Sequence, residues 1–123
     1  MRFGLAVIAF LCGSCAVPPP GSTPGQATEL SGRTAGPAQR CVIIQPSEAL
    51  RIADGDRHTL IYGTGRTIWA NHLGSCGFGL DNALVTEPIG SHYCGGDVVH
   101  SFDRFSKIPG PACVLGDFVP YSR

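Results

Sequence analysis

Short runs rich in Val, Ile, Thr and aromatic residues recur along the latter two-thirds of the chain, and glycine-, proline- or Asp/Asn-containing breaks separate them. They are residues 41–45 (CVIIQ), 58–62 (HTLIY), 66–71 (RTIWAN), 82–87 (NALVTE), 97–102 (DVVHSF) and 113–121 (CVLGDFVPY). Each has the length and composition of a strand, and the breaks supply turn residues. The clearest hairpin is HTLIY-GTG-RTIWA, in which Gly63 and Gly65 reach positive φ without the steric cost of a Cβ. Its Ile61 and Trp69 are expected to face the core. One segment reads as helical: residues 47–52 (SEALRI) follow Pro46 and would form a turn or two, stopped at Asp54-Gly55. No long apolar pattern of period 3.6 exists. The predicted fold is therefore mainly β, a small antiparallel β-barrel or sandwich-like domain with at most one short helix.

The amino terminus has a different pattern. Met1-Arg2 carries a positive charge, residues 3–11 (FGLAVIAFL) are apolar apart from one glycine, and the small residues Gly13, Ser14 and Ala16 follow. That order is the layout of a secretory signal peptide. The run falls well short of the roughly 20 residues that a membrane-crossing helix needs. Two processing points fit. A lipoprotein-type cut before Cys15 would leave residues 1–15 as a lipoprotein-like signal that ends at a lipidated Cys15. Ordinary cleavage after Ala16 would use Ser14 and Ala16 as the small flanking residues. The pair Cys12-Gly13-Ser14-Cys15 lacks the βαβ surroundings of a redox motif. It also lacks the aromatic that follows the nucleophile segment of papain-like proteases.

Residues 16–39 are rich in Pro, Gly, Ser and Thr and poor in large aliphatic side chains. Such a composition buries too little apolar area to offset the entropy of ordering it, so a disordered tether is expected. Residues 40–123 then form one domain, of a size that often requires covalent staples.

Charge narrows the partners. Nine Lys/Arg balance nine Asp/Glu to a formal net charge of zero, with a single lysine and no basic stripe. Nucleic-acid binding lacks its electrostatic footprint. Of the six cysteines, four lie in the domain: Cys41, Cys76, Cys94 and Cys113. Their wide spacing offers no zinc clamp, and an exported chain with an even number of thiols reads as two disulfides. Four cysteines allow three connectivities. Cys41–Cys113 with Cys76–Cys94 follows if the first and last strands lie side by side; spacing alone leaves the other two open.

Candidate chemistry is sparse. Asp54-Gly55-Asp56 lacks the further ligands of a calcium loop and reads as a β-turn. His72, His92 and His100 with Asp97 share no clamp spacing, so no metal or cofactor is expected. Ser75 sits in no G-x-S-x-G elbow, and Gly63-Thr64-Gly65 lacks the third glycine and following helix of a dinucleotide loop. Cys94-Gly95-Gly96-Asp97 is the segment with two open readings: a tight turn capped by Asp97, or a backbone-lined pocket with Asp97 as its polar anchor.

The series RCVII, LRIADGDRHTLIYGTGRTIWANHLGSCGFGLDNALV, YCGGDVVHSFD and ACVLGDFVPY resembles an uncharacterised family of small exported proteobacterial proteins, a domain of unknown function. The likeness spans nearly all of residues 40–121. It implies a lipoprotein-like, four-cysteine protein of the periplasm or outer membrane with no assigned activity. The expectation is thus a non-enzymatic cell-envelope protein, tethered to the membrane through Cys15, that binds or supports an unknown envelope component. The alternatives are a small-ligand carrier or inhibitor with a cavity in the β domain, or an enzyme built around a histidine–carboxylate cleft.

Overall fold

The computed structural model describes residues 27–123. The leader 1–15, Cys15 and the first part of the expected tether lie outside the described residues. A single 3-10 turn, Thr28–Leu30, is followed by ten strands: β1 (Thr34–Ala35), β2 (Cys41–Ile43), β3 (Arg51–Ala53), β4 (Asp56–Tyr62), β5 (Thr67–His72), β6 (Asn82–Thr86), β7 (His92–Cys94), β8 (Val98–Asp103), β9 (Cys113–Val114) and β10 (Phe118–Ser122). All pairings are antiparallel. They form a five-stranded sheet in the order β1-β10-β5-β4-β3, a ribbon of β2 and β7, and a three-stranded sheet in the order β6-β8-β9. The fold is mainly β, as the sequence predicts, and its sheets do not close into a barrel.

The five-stranded sheet is buried on both faces. Register pairs Leu60 with Asn71 and Tyr62 with Trp69, while Ile61 pairs with Ala70 and points to the opposite face. One face carries Leu60, Tyr62 and Phe118 into a cluster with Val42 and Tyr93 of the β2–β7 ribbon and Val99 and Cys113 of the three-stranded sheet. The opposite face carries Ile61, Ile68 and Ala70 against Ala27 and Leu30. Ile61 and Trp69 both reach a core, as expected, but not the same one: Ile61 is 0% exposed in the second cluster, and Trp69 packs half-buried against the first. A strand buried on both faces reads as a near-continuous apolar run, which is what residues 59–62 show.

The second face moves the domain boundary. Residues 27–39, assigned above to a disordered tether, are folded against the sheet. Leu30 is 3% and Ala27 2% exposed, the Thr28 N–H donates to Asp54 C=O at 2.9 Å, and β1 extends the sheet along β10. Arg51 pairs with Glu29, which ties this segment to β3. Composition underestimates such a segment because two small-to-medium apolar side chains suffice where a preformed face awaits them.

The expected helix at residues 47–52 does not form. Residues 51–53 are β3, and Asp54-Gly55, with Gly55 at φ +83°, is the two-residue turn into β4. Asp-Gly at that spacing is a hairpin signal as well as a helix stop. The Gly63-Thr64-Gly65 hairpin forms as predicted, with Gly63 at φ +93° and Gly65 at φ +88°. The run 113–121 splits into β9 and β10 around Gly116. There the buried Asn71 amide donates to Gly116 C=O at 2.7 Å and accepts its N–H at 2.8 Å. That two-way bond satisfies a side chain that is 0% exposed.

The cysteines do form two disulfides, with a connectivity other than the one favoured from the sequence. Cys41 is bridged to Cys94 and Cys76 to Cys113, rather than Cys41 to Cys113 and Cys76 to Cys94. The premise about neighbouring strands fails: β2 pairs with β7, so Cys41 lies directly opposite Cys94 with Cα atoms 4.1 Å apart. The last strand, β10, pairs with β5 instead. The loops closed span 53 and 37 positions, and in the chain-entropy account each bridge contributes about 4 kcal/mol.

Leu30→Ala separates a docked segment from a tether. Removing that buried side chain is expected to lower the unfolding free energy by about 2–4 kcal/mol in urea titrations; an unchanged midpoint would contradict the docking.

Candidate functional site

The Cys94–Asp97 segment resolves as a turn. Gly95 N–H donates to Arg40 C=O at 2.7 Å, Gly96 N–H to Leu115 C=O at 2.8 Å and Asp97 N–H to Cys94 C=O at 3.1 Å. Asp97 Oδ2 accepts the Cys94 N–H at 2.9 Å. Each backbone donor of the segment is therefore engaged, and no cradle of open N–H groups remains. The glycines serve two needs. A Cβ on Gly95 would lie 3.1 Å from Gly116 C=O, and Gly96 sits at φ +94°. The cavity beside Asp97 and Tyr93 measures about 10 Å³, room for roughly one water.

The histidines are dispersed. His58 Nδ1 lies 2.9 Å from Cys76 C=O and donates to it. His92 Nδ1 contacts Ser91 Oγ at 3.2 Å. His72 ends a hydrogen-bonded chain: Thr59 Oγ1 donates to Asp56 Oδ2 at 2.8 Å, which leaves its oxygen to accept from His72 Nδ1 at 3.0 Å. In that chain His72 Nδ1 is the donor. Asp56 also accepts the His58 N–H at 2.9 Å, so its carboxylate serves the turn before β4. Ser75 lies in the turn leading to Cys76, whose N–H donates to Leu73 C=O at 3.3 Å. Among the described residues, no group of three or more His, Cys, Asp and Glu side chains converges as a metal set would.

One carboxyl is shifted, for a local reason. The backbone N–H groups of Ser106 and Phe105 both donate to Asp103 and hold its pKa below the ordinary carboxylate value. Asp103 caps the loop between β8 and β9.

The concave surface that combines aromatic and polar side chains lies elsewhere, between β2 and the β4–β5 turn. It is an open groove of about 310 Å³ with Trp69 and Tyr62 in its lining and Gln39, Gln45, Glu48 and Thr64 around them. Its walls are held from behind. Tyr62 Oη accepts the Gln45 N–H at 2.7 Å and donates to Ile43 C=O at 3.2 Å, and its ring packs edge-on against Tyr93 at 5.5 Å. Arg51 donates to Gly63 C=O at 2.9 Å, and Thr64 Oγ1 donates to Glu48 Oε1 at 2.9 Å. The sequence does not announce this groove. Its residues come from two separate segments, 39–48 and 62–69, with no motif spacing, and only the lone tryptophan beside a turn is a signal. A second concavity of about 380 Å³ between the β3–β4 turn and Phe78–Leu80 is walled by Asp54, Asp56 and Arg57. Asp56 is already committed there as described above.

Fold and site together define a two-disulfide, mainly β module with an open groove lined by Trp69, Tyr62 and polar side chains. No family model, curated protein or solved structure matches the chain.

Two substitutions check these assignments. Asp97→Ala is expected to lower stability by about 1–2 kcal/mol by leaving the Cys94 N–H unpaired, measured by denaturant titration together with faster exchange of that amide. Asp103→Asn tests the shifted carboxyl. Its folded pKa is depressed, so its contribution is present above the unfolded value near 3.9 and is lost as pH falls through the folded one. The acid limb of the stability curve, below about pH 4, should therefore be shallower in the variant.

Proposed function

We propose that this chain is a non-enzymatic protein of the bacterial cell envelope that acts by binding another envelope component. It is exported by its amino-terminal leader, and it is either held at the outer membrane through a lipidated Cys15 or soluble in the periplasm after cleavage behind Ala16. The observation that supports this most is the pairing of Cys41 with Cys94 and Cys76 with Cys113. Disulfides of this kind persist in oxidising compartments. The leader pattern and the resemblance to small exported four-cysteine proteins point the same way.

Binding is favoured over catalysis by where the titratable groups are spent. His58, His72 and Asp56 are engaged in turn and strand contacts, and Asp97 and Asp103 cap loops. The Trp69 groove favours a second reading within the same class, a carrier of a small ligand.

Intact mass of the membrane fraction, with and without reduction and alkylation, tests the export reading. A chain beginning at Cys15 with diacylglycerol mass, no alkylation before reduction and four alkylated thiols after it is expected. An unprocessed chain with all six cysteines alkylatable would overturn export, anchoring and envelope location together.

A further inference from the structure

We propose that the Trp69 groove is a binding site for a neutral saccharide. The proposal rests on reading that groove as the ligand site.

The lining pairs one flat apolar surface with hydrogen-bonding groups of mixed polarity. Trp69 is half-buried, packed against the core on one side and bordering the groove on the other. A pyranose ring presents weakly positive C–H groups on one face, which suit the negative face of an indole. Its hydroxyls both donate and accept, and the groove offers both roles. The side-chain amides of Gln39 and Gln45 are exposed and make no hydrogen bond among the described residues, so each can donate and accept. Glu48 Oε1 is fixed by Thr64, which leaves Oε2 to accept from a hydroxyl. Thr67 at the far end contacts Ser122 through its hydroxyl at 2.9 Å.

Charge then excludes the main competitors. No Lys or Arg lines the groove. Arg51, whose guanidinium reaches the turn at Gly63, is committed to Glu29 and to Gly63 C=O. A phosphate, carboxylate or uronate would meet Glu48 without a counter-charge, which costs affinity. A purely apolar ligand would strip water from Gln39, Gln45 and Glu48 and return no hydrogen bonds. A volume of about 310 Å³ lies at the small end of ligand sites, and the groove is open, so one or two sugar units of a longer chain would fit as well as a free sugar.

The site is also rigid before a ligand arrives. Tyr62 holds the β2 side through Ile43 and Gln45, Arg51 holds the turn at Gly63, and the Cys41–Cys94 bridge locks β2 to β7. A preformed groove spends little ordering entropy on binding.

Trp69 is the sole tryptophan, so its emission reports on the groove without labelling. The oxidised full chain is titrated with maltotriose, with chitotriose and with trigalacturonate, and is separately spun down with insoluble cellulose and chitin. A saturable change in emission with at least one neutral oligosaccharide, and a weaker response to the uronate, is expected. Gln39→Ala and Gln45→Ala, both exposed changes, should each raise the dissociation constant by roughly three- to tenfold. Leu80→Ser, outside the groove, should leave it unchanged. Binding to the free trisaccharides without co-sedimentation identifies a soluble sugar as the ligand, and co-sedimentation identifies a glycan polymer; both support the site. Two results overturn the proposal and are distinguishable. A response to trigalacturonate or to the uncharged apolar dye N-phenylnaphthylamine, but to no neutral sugar, keeps the groove as a site and rejects the ligand class. Silence toward every probe rejects the groove as a site.

Discussion

The constraint on which the molecule depends is that β4, β5 and β10 form a ribbon that must be covered on both sides. Leu60 and Ile61 are neighbours in sequence, each 0% exposed, and they point into different clusters. Neither cluster alone would hold a domain of this size, because small domains bury too little apolar surface. The chain meets the demand with two unlike covers. On the side of Leu60 and Phe118 lie two further small sheets, one bridged within itself by Cys41–Cys94 and the other tied through Cys113 of β9 to Cys76 in the β5–β6 connection. On the side of Ile61 and Ile68 lies a short strap, residues 27–35, with one ion pair and a two-residue strand.

The same arrangement builds the groove. Because the β2–β7 ribbon is a separate layer, its edge stands off from the β4–β5 turn, and the gap between them is where Trp69 is left half-buried. A closed barrel would have swallowed that side chain. The Cys41–Cys94 bridge therefore acts on two levels: it restricts the unfolded chain, and it fastens β2, which forms one wall of the groove, to β7. Asn71 plays a comparable part at the opposite end of the ribbon, where its amide stands in for a peptide group and lets the chain bend at Gly116 between β9 and β10.

Much of this architecture can be read from residue patterns. Every expected run contains a strand, and the Gly63–Gly65 hairpin stands where the glycines place it. What escapes the pattern has physical causes. β7 is three residues long, and β1 two, too short for any periodicity to register. Residues 47–52 carry good helix formers, yet Leu50 and Ile52 find apolar neighbours only in an extended chain, so packing overrides propensity. Disulfide partners are set by which strands become neighbours, a long-range fact invisible in spacing. The groove is the extreme case: Gln39, Gln45, Glu48 and Trp69 are unremarkable one by one, and their significance arises from a gap between layers.

The strap along residues 27–35 carries no covalent cross-link, and it is the first of the described residues reached from the amino terminus. Among the described residues, the first covalent cross-link is at Cys41. A pull applied to the beginning of the polypeptide would therefore peel Leu30 and β1 from the ribbon while every sulfur bridge stayed intact. The domain is built like a parcel with a tear strip. Traction would uncover the greasy Ile61–Ile68–Ala70 surface reversibly and leave the groove on the far side undisturbed.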